Sequence, residues 1–215
     1  MRFFSKKFKI LFAFTWFMWL FVRADITYAD ITEFNELIEQ FKTEEVIPRG
    51  RGRIQSFGSF EDEYPVMGSY QWFPVTTAER FVFSANISWQ SAFQAPTASL
   101  AGCGLVFGAD PETGDHLMAS VRMDGHAYLS GNSFNKTRNY IDYFFGYPTI
   151  SGNVTLTVIE TGEKVITYIN GTRLGTRSDM VPFGNALGFS VLSGTNMGFG
   201  TKCNWSDIYL YIWDE

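Results

Sequence analysis

The sequence predicts an all-β fold: a two-sheet antiparallel jelly-roll sandwich with a short N-terminal α-helix. Two observations predict the strands. Apolar and polar residues alternate with period two after Arg53, and turn signals divide this part into roughly eleven to thirteen short segments. Before Arg53 the apolar residues instead follow the spacing of one helix face. That many short antiparallel strands in one domain is typical of a sandwich or a jelly roll.

The first 29 residues predict a secretory signal peptide. Basic residues lie within residues 2–9, an apolar run from Ile10 to Val22 is interrupted only by Thr15, and small residues follow at Ala24 and Ala29. The run is shorter than the about 20 residues that a membrane-spanning helix needs. Cleavage after Ala24 or after Ala29 fits this pattern, and an uncleaved membrane anchor is the alternative. We therefore expect a secreted or extracytoplasmic protein, in the periplasm or at the cell surface, with no stable membrane insertion after cleavage.

The charge of the chain disfavours nucleic acid as a partner. The whole sequence has a formal net charge of −5, but residues 1–29 contain five basic residues and one acidic residue. The rest of the chain therefore has a net charge of −9. Such a surface repels a phosphate backbone.

Residues 30–52 predict one amphipathic helix and a connector, which precede a jelly-roll domain at residues 53–215. Asp30 is the predicted N-cap, with Glu33 three positions later as its capping-box partner. Pro48 and Gly50 end the helical pattern. The apolar positions share one face: Ile31, Phe34, Leu37, Ile38 and Phe41.

The strands are clearest where the alternation is longest. In Phe81–Trp89 every second residue is apolar, and in His116–Met123 the apolar positions alternate with His116, Ser120 and Arg122. Asp124-Gly125 and Asn170-Gly171 each separate two such segments. These dipeptides predict type I′ turns and hence antiparallel hairpins.

Cys103 and Cys203 are the only two cysteines. In an exported protein an even pair predicts a disulfide, which here would close a loop of about 100 residues. A nucleophilic thiol is the alternative, but no histidine lies near either cysteine in the sequence.

Four stretches together resemble the concanavalin A-like lectin/glucanase superfamily, in its laminin-G-like and three-keto-disaccharide-hydrolase-like branch of bacterial secreted proteins. The stretches are Phe81–Trp89 (FVFSANISW), Gly102–Phe107 (GCGLVF), Val165–Leu174 (VITYINGTRL) and Leu187–Cys203 (LGFSVLSGTNMGFGTKC). The likeness covers residues 68–213. It implies a jelly roll in which the two cysteines bridge neighbouring strands, and it leaves lectins, hydrolases and structural modules as functions.

No catalytic residues are predicted. Retaining glucanases of this superfamily carry an E-x-D-x-x-E strand, and the chain has no such pattern. Its densest acidic cluster, Glu61-Asp62-Glu63, precedes Tyr64-Pro65 and is interpreted as a solvated turn, because neighbouring residues on a strand would point to opposite faces. Whether the protein is an enzyme stays open, with a non-catalytic role favoured.

One loop is a candidate calcium site, and no other cofactor is expected. Asp110, Glu112 and Asp115 lie close together in the sequence, and calcium prefers oxygen ligands of this kind. An acidic surface loop without a metal is the alternative.

Two aromatic runs are candidates for stacking on sugar rings. On the last strand, Trp205, Tyr209, Tyr211 and Trp213 are predicted to share one face, and the favoured interpretation is that the N-terminal helix covers Trp205, Tyr209 and Tyr211. The second run gives the predicted ligand-binding residues: Tyr140, Tyr143, Tyr147, Asn135 and Arg138.

The sequence therefore favours a secreted, non-catalytic binding module for a glycan or another extracellular polymer. The alternatives are a glycoside or keto-sugar hydrolase with an unrecognised carboxylate site, and a structural envelope module without a small ligand. Nothing in the sequence indicates the oligomeric state.

Overall fold

The computed structural model describes residues 28–134 and 136–213, with side chains from residue 31 onward. Most of the predicted signal peptide, including Ala24, lies outside these residues. Helix α1 spans Tyr28–Thr43, so the last two residues of the predicted leader already belong to it. Among the described residues, no helix is long and apolar enough to cross a membrane.

Thirteen antiparallel strands follow the helix within the described residues and form two sheets, so the all-β sandwich is confirmed. The seven-stranded sheet has the order β1-β13-β4-β9-β10-β11, with β2 also paired to β13, and the six-stranded sheet has the order β3-β12-β5-β6-β7-β8. The strands are β1 (Gly52–Phe57), β2 (Phe60–Tyr64), β3 (Ser69–Thr77), β4 (Phe81–Ser91), β5 (Gly102–Ala109), β6 (His116–Arg122), β7 (His126–Ser133), β8 (Lys136–Phe144), β9 (Ser151–Glu160), β10 (Val165–Ile169), β11 (Thr172–Arg177), β12 (Ala186–Ser193) and β13 (Thr201–Trp213).

The main core lies between the two sheets and is rich in aromatic rings. Phe83, Phe189 and Trp205 are almost completely buried there, and the Phe189 and Trp205 rings stack with their centroids 4.9 Å apart. These rings come from β4, β12 and β13, so they join both sheets. Alternation along each strand puts such residues on one face, and the two faces then bury them together.

The disulfide between Cys103 and Cys203 is present, with both residues fully buried and their Cα atoms 5.9 Å apart. It connects β5 of the six-stranded sheet to β13 of the seven-stranded sheet. The expectation that it bridges neighbouring strands is therefore wrong. The two cysteines face each other across the core, because each occupies an inward position of its own sheet.

Helix α1 packs on the outer face of the seven-stranded sheet. Phe34 stacks on Tyr209 with ring centroids 5.0 Å apart, and the ring centroids of Phe41 and Tyr168 lie 5.2 Å apart. The predicted covering of the last strand by the helix is thereby confirmed for Tyr209 and Tyr211, which are buried with the helix residues, and Trp213 belongs to the same cluster. The predicted N-cap is wrong, because the helix already includes Tyr28 and Ala29 ahead of Asp30.

Trp205 does not share a face with Tyr209, contrary to the expectation from the sequence. The pairing of β13 with β4 shifts between Ser206 and Tyr209, and Asp207 takes a positive φ of 49°. This β-bulge adds one residue to β13. The residues that precede it therefore point to the opposite face from the one that strict alternation predicts. Trp205 therefore points into the main core with Ile208.

Two local predictions also need correction. Residues 61–63 lie in strand β2, paired with β13, and not in a solvated turn. At Asp124-Gly125 only the glycine takes a positive φ, of 85°, so this turn is not type I′. Asn170 and Gly171 both take a positive φ, as a type I′ turn requires.

Candidate functional site

The outer face of the six-stranded sheet collects side chains from five strands. The partners in register run from Trp72 across Ser190, Gly104 and Ser120 to Tyr128. At about 4.8 Å per strand, this row is about 19 Å long. Two aromatic side chains therefore stand at the ends of a row whose middle positions are very small.

The small residues of this row are buried and the large ones are half-exposed. Ser190 and Ser120 have no exposed surface, whereas Trp72 and Tyr128 are partly exposed. Trp72 packs against the buried apolar residues of this face, which include Met118. The large side chains flank the small ones on this face of the sheet, and we call this set the aromatic platform: Tyr70, Trp72, Arg122 and Tyr128.

Three contacts fix the guanidinium group of Arg122 in the platform. Its guanidinium carbon lies 5.4 Å from the centroid of the Tyr128 ring. Nη1 donates to the carbonyl of Ser99 at 3.0 Å, and Nε lies 3.4 Å from Oγ of Ser120. A cation over an aromatic face stabilises this arrangement.

At one end of the platform, His116 is fully buried between two aromatic rings. The centroid of its ring lies 5.5 Å from that of Tyr70 and 5.3 Å from that of Trp72. Nδ1 faces the carbonyl of Gly114 at 2.8 Å, which assigns the proton to Nδ1. Burial lowers the pKa of His116, so the ring is held in its neutral form.

The neutral ring orients a buried amide and an exposed hydroxyl. Nδ2 of Asn132 donates to Nε2 of His116 at 3.3 Å. Oγ1 of Thr137 donates to Oδ1 of Asn132 at 2.6 Å. The chain of hydrogen bonds from His116 outward therefore fixes the orientation of both side chains.

Asp115 holds the turn that borders this end of the platform. One oxygen accepts from the backbone N–H of Phe134 at 3.0 Å, and the other accepts from Oγ of Ser133 at 3.1 Å. Phe134 takes a positive φ of 50°, and 86% of its side chain is exposed. Burial, followed by the charge of Asp115, raises the pKa of Tyr70.

These groups line a cavity of about 470 Å³. Its walls supply an aromatic ring, an amide, a hydroxyl, a carboxylate and an ammonium group. The residues that carry them are Tyr70, Asn132, Thr137, Asp115 and Lys136. A few polar groups beside aromatic rings are typical of small-molecule and sugar sites.

The predicted ligand-binding tyrosines lie in three different surroundings. Tyr140 packs against the main core, and the guanidinium carbon of Arg138 lies 4.9 Å from its ring centroid. Tyr143 is paired with Ala127 on the edge strand and is partly exposed. Tyr147 is 89% exposed in the segment that follows β8. Asn135 lies outside the described residues, so the role of this set in binding stays a prediction.

The predicted calcium loop directs its carboxylates to protein donors. Asp110 accepts from the backbone N–H of Glu112 at 2.9 Å and from Oγ1 of Thr113 at 3.1 Å, and Asp115 accepts from the β7–β8 turn as described above. No group of three or more His, Cys, Asp or Glu side chains that could hold a metal ion is found in the described part of the chain. Calcium binding at this loop stays a prediction, which calorimetric titration with calcium tests.

Sequence reasoning missed the aromatic platform. One signal was present, because His116, Ser120 and Arg122 alternate with apolar residues on β6. The other half, Tyr70 and Trp72, lies more than forty residues earlier in the chain. Only the register of the sheet brings the two halves together.

The two packed sheets have the architecture of the concanavalin A-like jelly roll, and the resemblance predicted from the sequence motifs is confirmed at the level of the fold. No family model matches the sequence, and no curated protein matches it either.

Among solved structures, the chain is similar to the carbohydrate binding module CBM66 from Bacillus subtilis. The TM-score is 0.55 at 9% identity, over 72% of this chain and 92% of that one. A functionally unknown protein from Saccharomyces cerevisiae has a TM-score of 0.50 at 16% identity, over 76% of this chain and 97% of that one. A Bacillus licheniformis β-glucanase has a TM-score of 0.49 at 10% identity, over 74% of this chain and all of that one. At these identities the likeness shows the fold alone.

Proposed function

We propose that this protein is an exported, non-catalytic binding module for a glycan, and that the aromatic platform with its adjoining cavity is the binding surface. The observation that carries the proposal is the layer of half-exposed rings over fully buried serines and glycine. These side chains are partly buried against the sheet and still accessible to a ligand.

A sugar matches this surface chemically. The C–H faces of a sugar ring are apolar and stack on aromatic rings, while its hydroxyls need hydrogen-bond partners. Asn132, Thr137 and Lys136 line the cavity at one end of the platform and supply those partners. Because the row is about 19 Å long, we expect an oligosaccharide to bind better than a single sugar.

Export is supported by the sequence and by the disulfide. The basic and apolar N-terminal segment has the sequence pattern of a secretory signal peptide, and the Cys103–Cys203 disulfide suits an oxidising compartment. The fold neighbour from Bacillus subtilis is a carbohydrate-binding module, so a sandwich of this shape can carry such a function.

A glycan-array screen of the disulfide-bonded protein, with release of reducing sugar measured in parallel, tests the proposal. We expect binding without release, and Trp72→Ala should lower the affinity at least about tenfold. The matched control is Tyr147→Ala, which removes an exposed aromatic residue outside the platform.

Each other outcome points to a different function. Release of reducing sugar would favour the hydrolase alternative. Absence of both binding and release would favour a structural module. Loss of binding in Tyr147→Ala but not in Trp72→Ala would move the site to the predicted tyrosine run.

A further inference from the structure

The strand connections at one end of the sandwich contain almost no charge. Five connections lie at this end, at residues 65–68, 92–101, 123–125, 145–150 and 194–200. Asp124 is the only charged residue among them. At the opposite end, the connection at residues 110–115 alone contains three carboxylates. The two ends of the same sandwich therefore present different chemistry.

Three of the uncharged connections are bound to one another. The backbone N–H of Thr97 donates to the carbonyl of Gly194 at 2.9 Å. The backbone N–H of Met67 donates to Oδ1 of Asn196 at 2.6 Å. Residues 65–68, 92–101 and 194–200 therefore form one continuous surface at the end of the sandwich.

This surface exposes large apolar side chains. Between 38% and 57% of each of five such residues is exposed: Val66, Met67, Phe93, Leu100 and Met197. The connection at residues 145–150 adjoins them, because the backbone N–H of Ser91 donates to the carbonyl of Ile150 at 2.9 Å. It adds Ile150 and Tyr147, which are also exposed. We call these seven residues the apolar end.

The composition of the apolar end is that of a protein interface. Single exposed apolar residues are common on monomers, but a group of them in adjoining segments marks an interaction site. Methionine and aromatic residues are enriched in the cores of interfaces, and charged residues are depleted there. The apolar end has two methionines, two aromatic residues and no charged residue.

The exposed area is large enough for association of two copies. About half of each side chain is exposed, which corresponds to roughly 100 Å² per residue and on the order of 700 Å² for the seven residues. Two copies would together bury about 1,400 Å², within the range of about 1,200–2,000 Å² of specific protein interfaces.

Charge favours a second copy over a charged partner. The chain has a net charge of −9 outside residues 1–29, and no basic residue lies in the five connections. An anionic bilayer would therefore repel the protein, and a cationic partner would find only Asp124 at this end. Two copies that meet through the apolar end bring uncharged surfaces together. Their acidic connections at residues 110–115 then lie at the far ends of the pair.

We propose that two copies of this chain associate through the apolar end, with the same surface of each copy in the contact. The aromatic platform shares no residue with the apolar end. The association therefore does not rest on glycan binding.

Sedimentation velocity of the disulfide-bonded protein, from about 1 to about 300 µM, tests this association. We expect a reversible dimer with a dissociation constant of about 1–100 µM. Raising the salt concentration should not weaken it, because the contact contains no ion pair and salt screens the repulsion between the two acidic copies. Flotation with phosphatidylcholine vesicles, in the same buffer, is the probe for a lipid surface.

Met67→Glu and Met197→Glu place a carboxylate in the contact. Each should raise the dissociation constant at least about tenfold, because the charge would be buried against the apolar surface of the other copy. Both positions are exposed in the single chain, so the fold should be unaffected, and amide spectra with native dispersion check this. The matched control is Val181→Glu, which adds the same charge at an exposed apolar residue of the opposite end. It should leave the association unchanged.

The proposal is overturned if the protein remains monomeric at the highest concentration, or if Val181→Glu weakens association as much as Met67→Glu does. Binding of a monomeric protein to the vesicles would also overturn it, and would assign the apolar end to a lipid surface. Sedimentation requires no glycan, so failure of the dimer and failure of the platform are distinguishable.

Discussion

The two sheets present very different outer faces, although both carry aromatic residues there. On the seven-stranded sheet, Tyr209, Tyr211 and Trp213 are buried beneath helix α1. On the six-stranded sheet, Trp72 and Tyr128 remain half-exposed. One aromatic face is thus covered by another element of the chain, whereas the other is open to solvent. The open face is the one for which we propose a ligand.

The largest expected loss of stability comes from removing part of the contact between helix α1 and the seven-stranded sheet. Phe34→Ala removes the ring that stacks on Tyr209, and we expect it to lower the free energy of unfolding by about 3–4 kcal/mol. Glycan binding by the folded variant should not change, because Phe34 of helix α1 packs on the seven-stranded sheet, whereas the platform lies on the six-stranded sheet. Urea denaturation and a binding titration measure the two quantities. A loss of glycan affinity in the folded variant would mean that the two faces are coupled.

On the platform we expect a small effect on stability and a large effect on glycan affinity. Trp72→Ala should lower the free energy of unfolding by only about 1–2 kcal/mol, since the ring is half-exposed. The same change should remove most of the glycan affinity. If instead Trp72→Ala destabilised the protein as much as Phe34→Ala does, the platform would be a structural face like the other one.

Lowering the pH should reduce the stability of the folded protein, because His116 is buried in its neutral form. Burial lowers the pKa of His116 in the folded state below its usual value of 6.5, whereas the unfolded chain takes up the proton there. As the pH falls below 6.5, the unfolded state binds more protons and stability is lost, by at most about 1.4 kcal/mol per pH unit. Burial raises the pKa of Glu160 to about 7, which changes stability in the opposite direction over the same range. The histidine contribution is therefore the difference in slope between the unchanged protein and His116→Gln, measured by denaturation between pH 7 and pH 5.

The matched control for this pH dependence is His126→Gln, because the chain has only two histidines and both lie on the six-stranded sheet. His126 is partly exposed and pairs with Asp142 at 2.6 Å. We expect the control to keep most of the acid slope. A control that flattened the slope as much as His116→Gln would assign the effect to the wrong histidine.

The smallest expected effect concerns one cation on each face. Nζ of Lys42 lies 5.2 Å from the ring centroid of Tyr211, and the guanidinium carbon of Arg122 lies 5.4 Å from that of Tyr128. Replacing either residue by methionine should lower the free energy of unfolding by about 0.5–1 kcal/mol. Only Arg122→Met should also weaken glycan binding. Equal binding by both variants would exclude Arg122 from the site.

Much of the architecture was predictable because each helix or strand follows from the spacing of residues that are close together in the sequence. The apolar spacing around Phe34 predicted the helix, and the alternation through Phe83 and Val121 predicted strands with one buried face. The even pair of cysteines predicted the disulfide. The candidate site was not predictable in this way, because Trp72 and Tyr128 lie far apart in sequence and meet through the register of five strands.

The sequence by itself determined which residues share a face of a strand, since period two follows from the geometry of one extended segment. It did not determine which faces are covered, and a single bulge near Asp207 turned Trp205 from the expected outer face into the core. It also did not reveal that the uncharged connections at residues 65–68, 92–101 and 194–200 meet at one end of the sandwich. Tertiary structure decided these points, because strand register, helix placement and the separation of the sheets depend on contacts between distant segments.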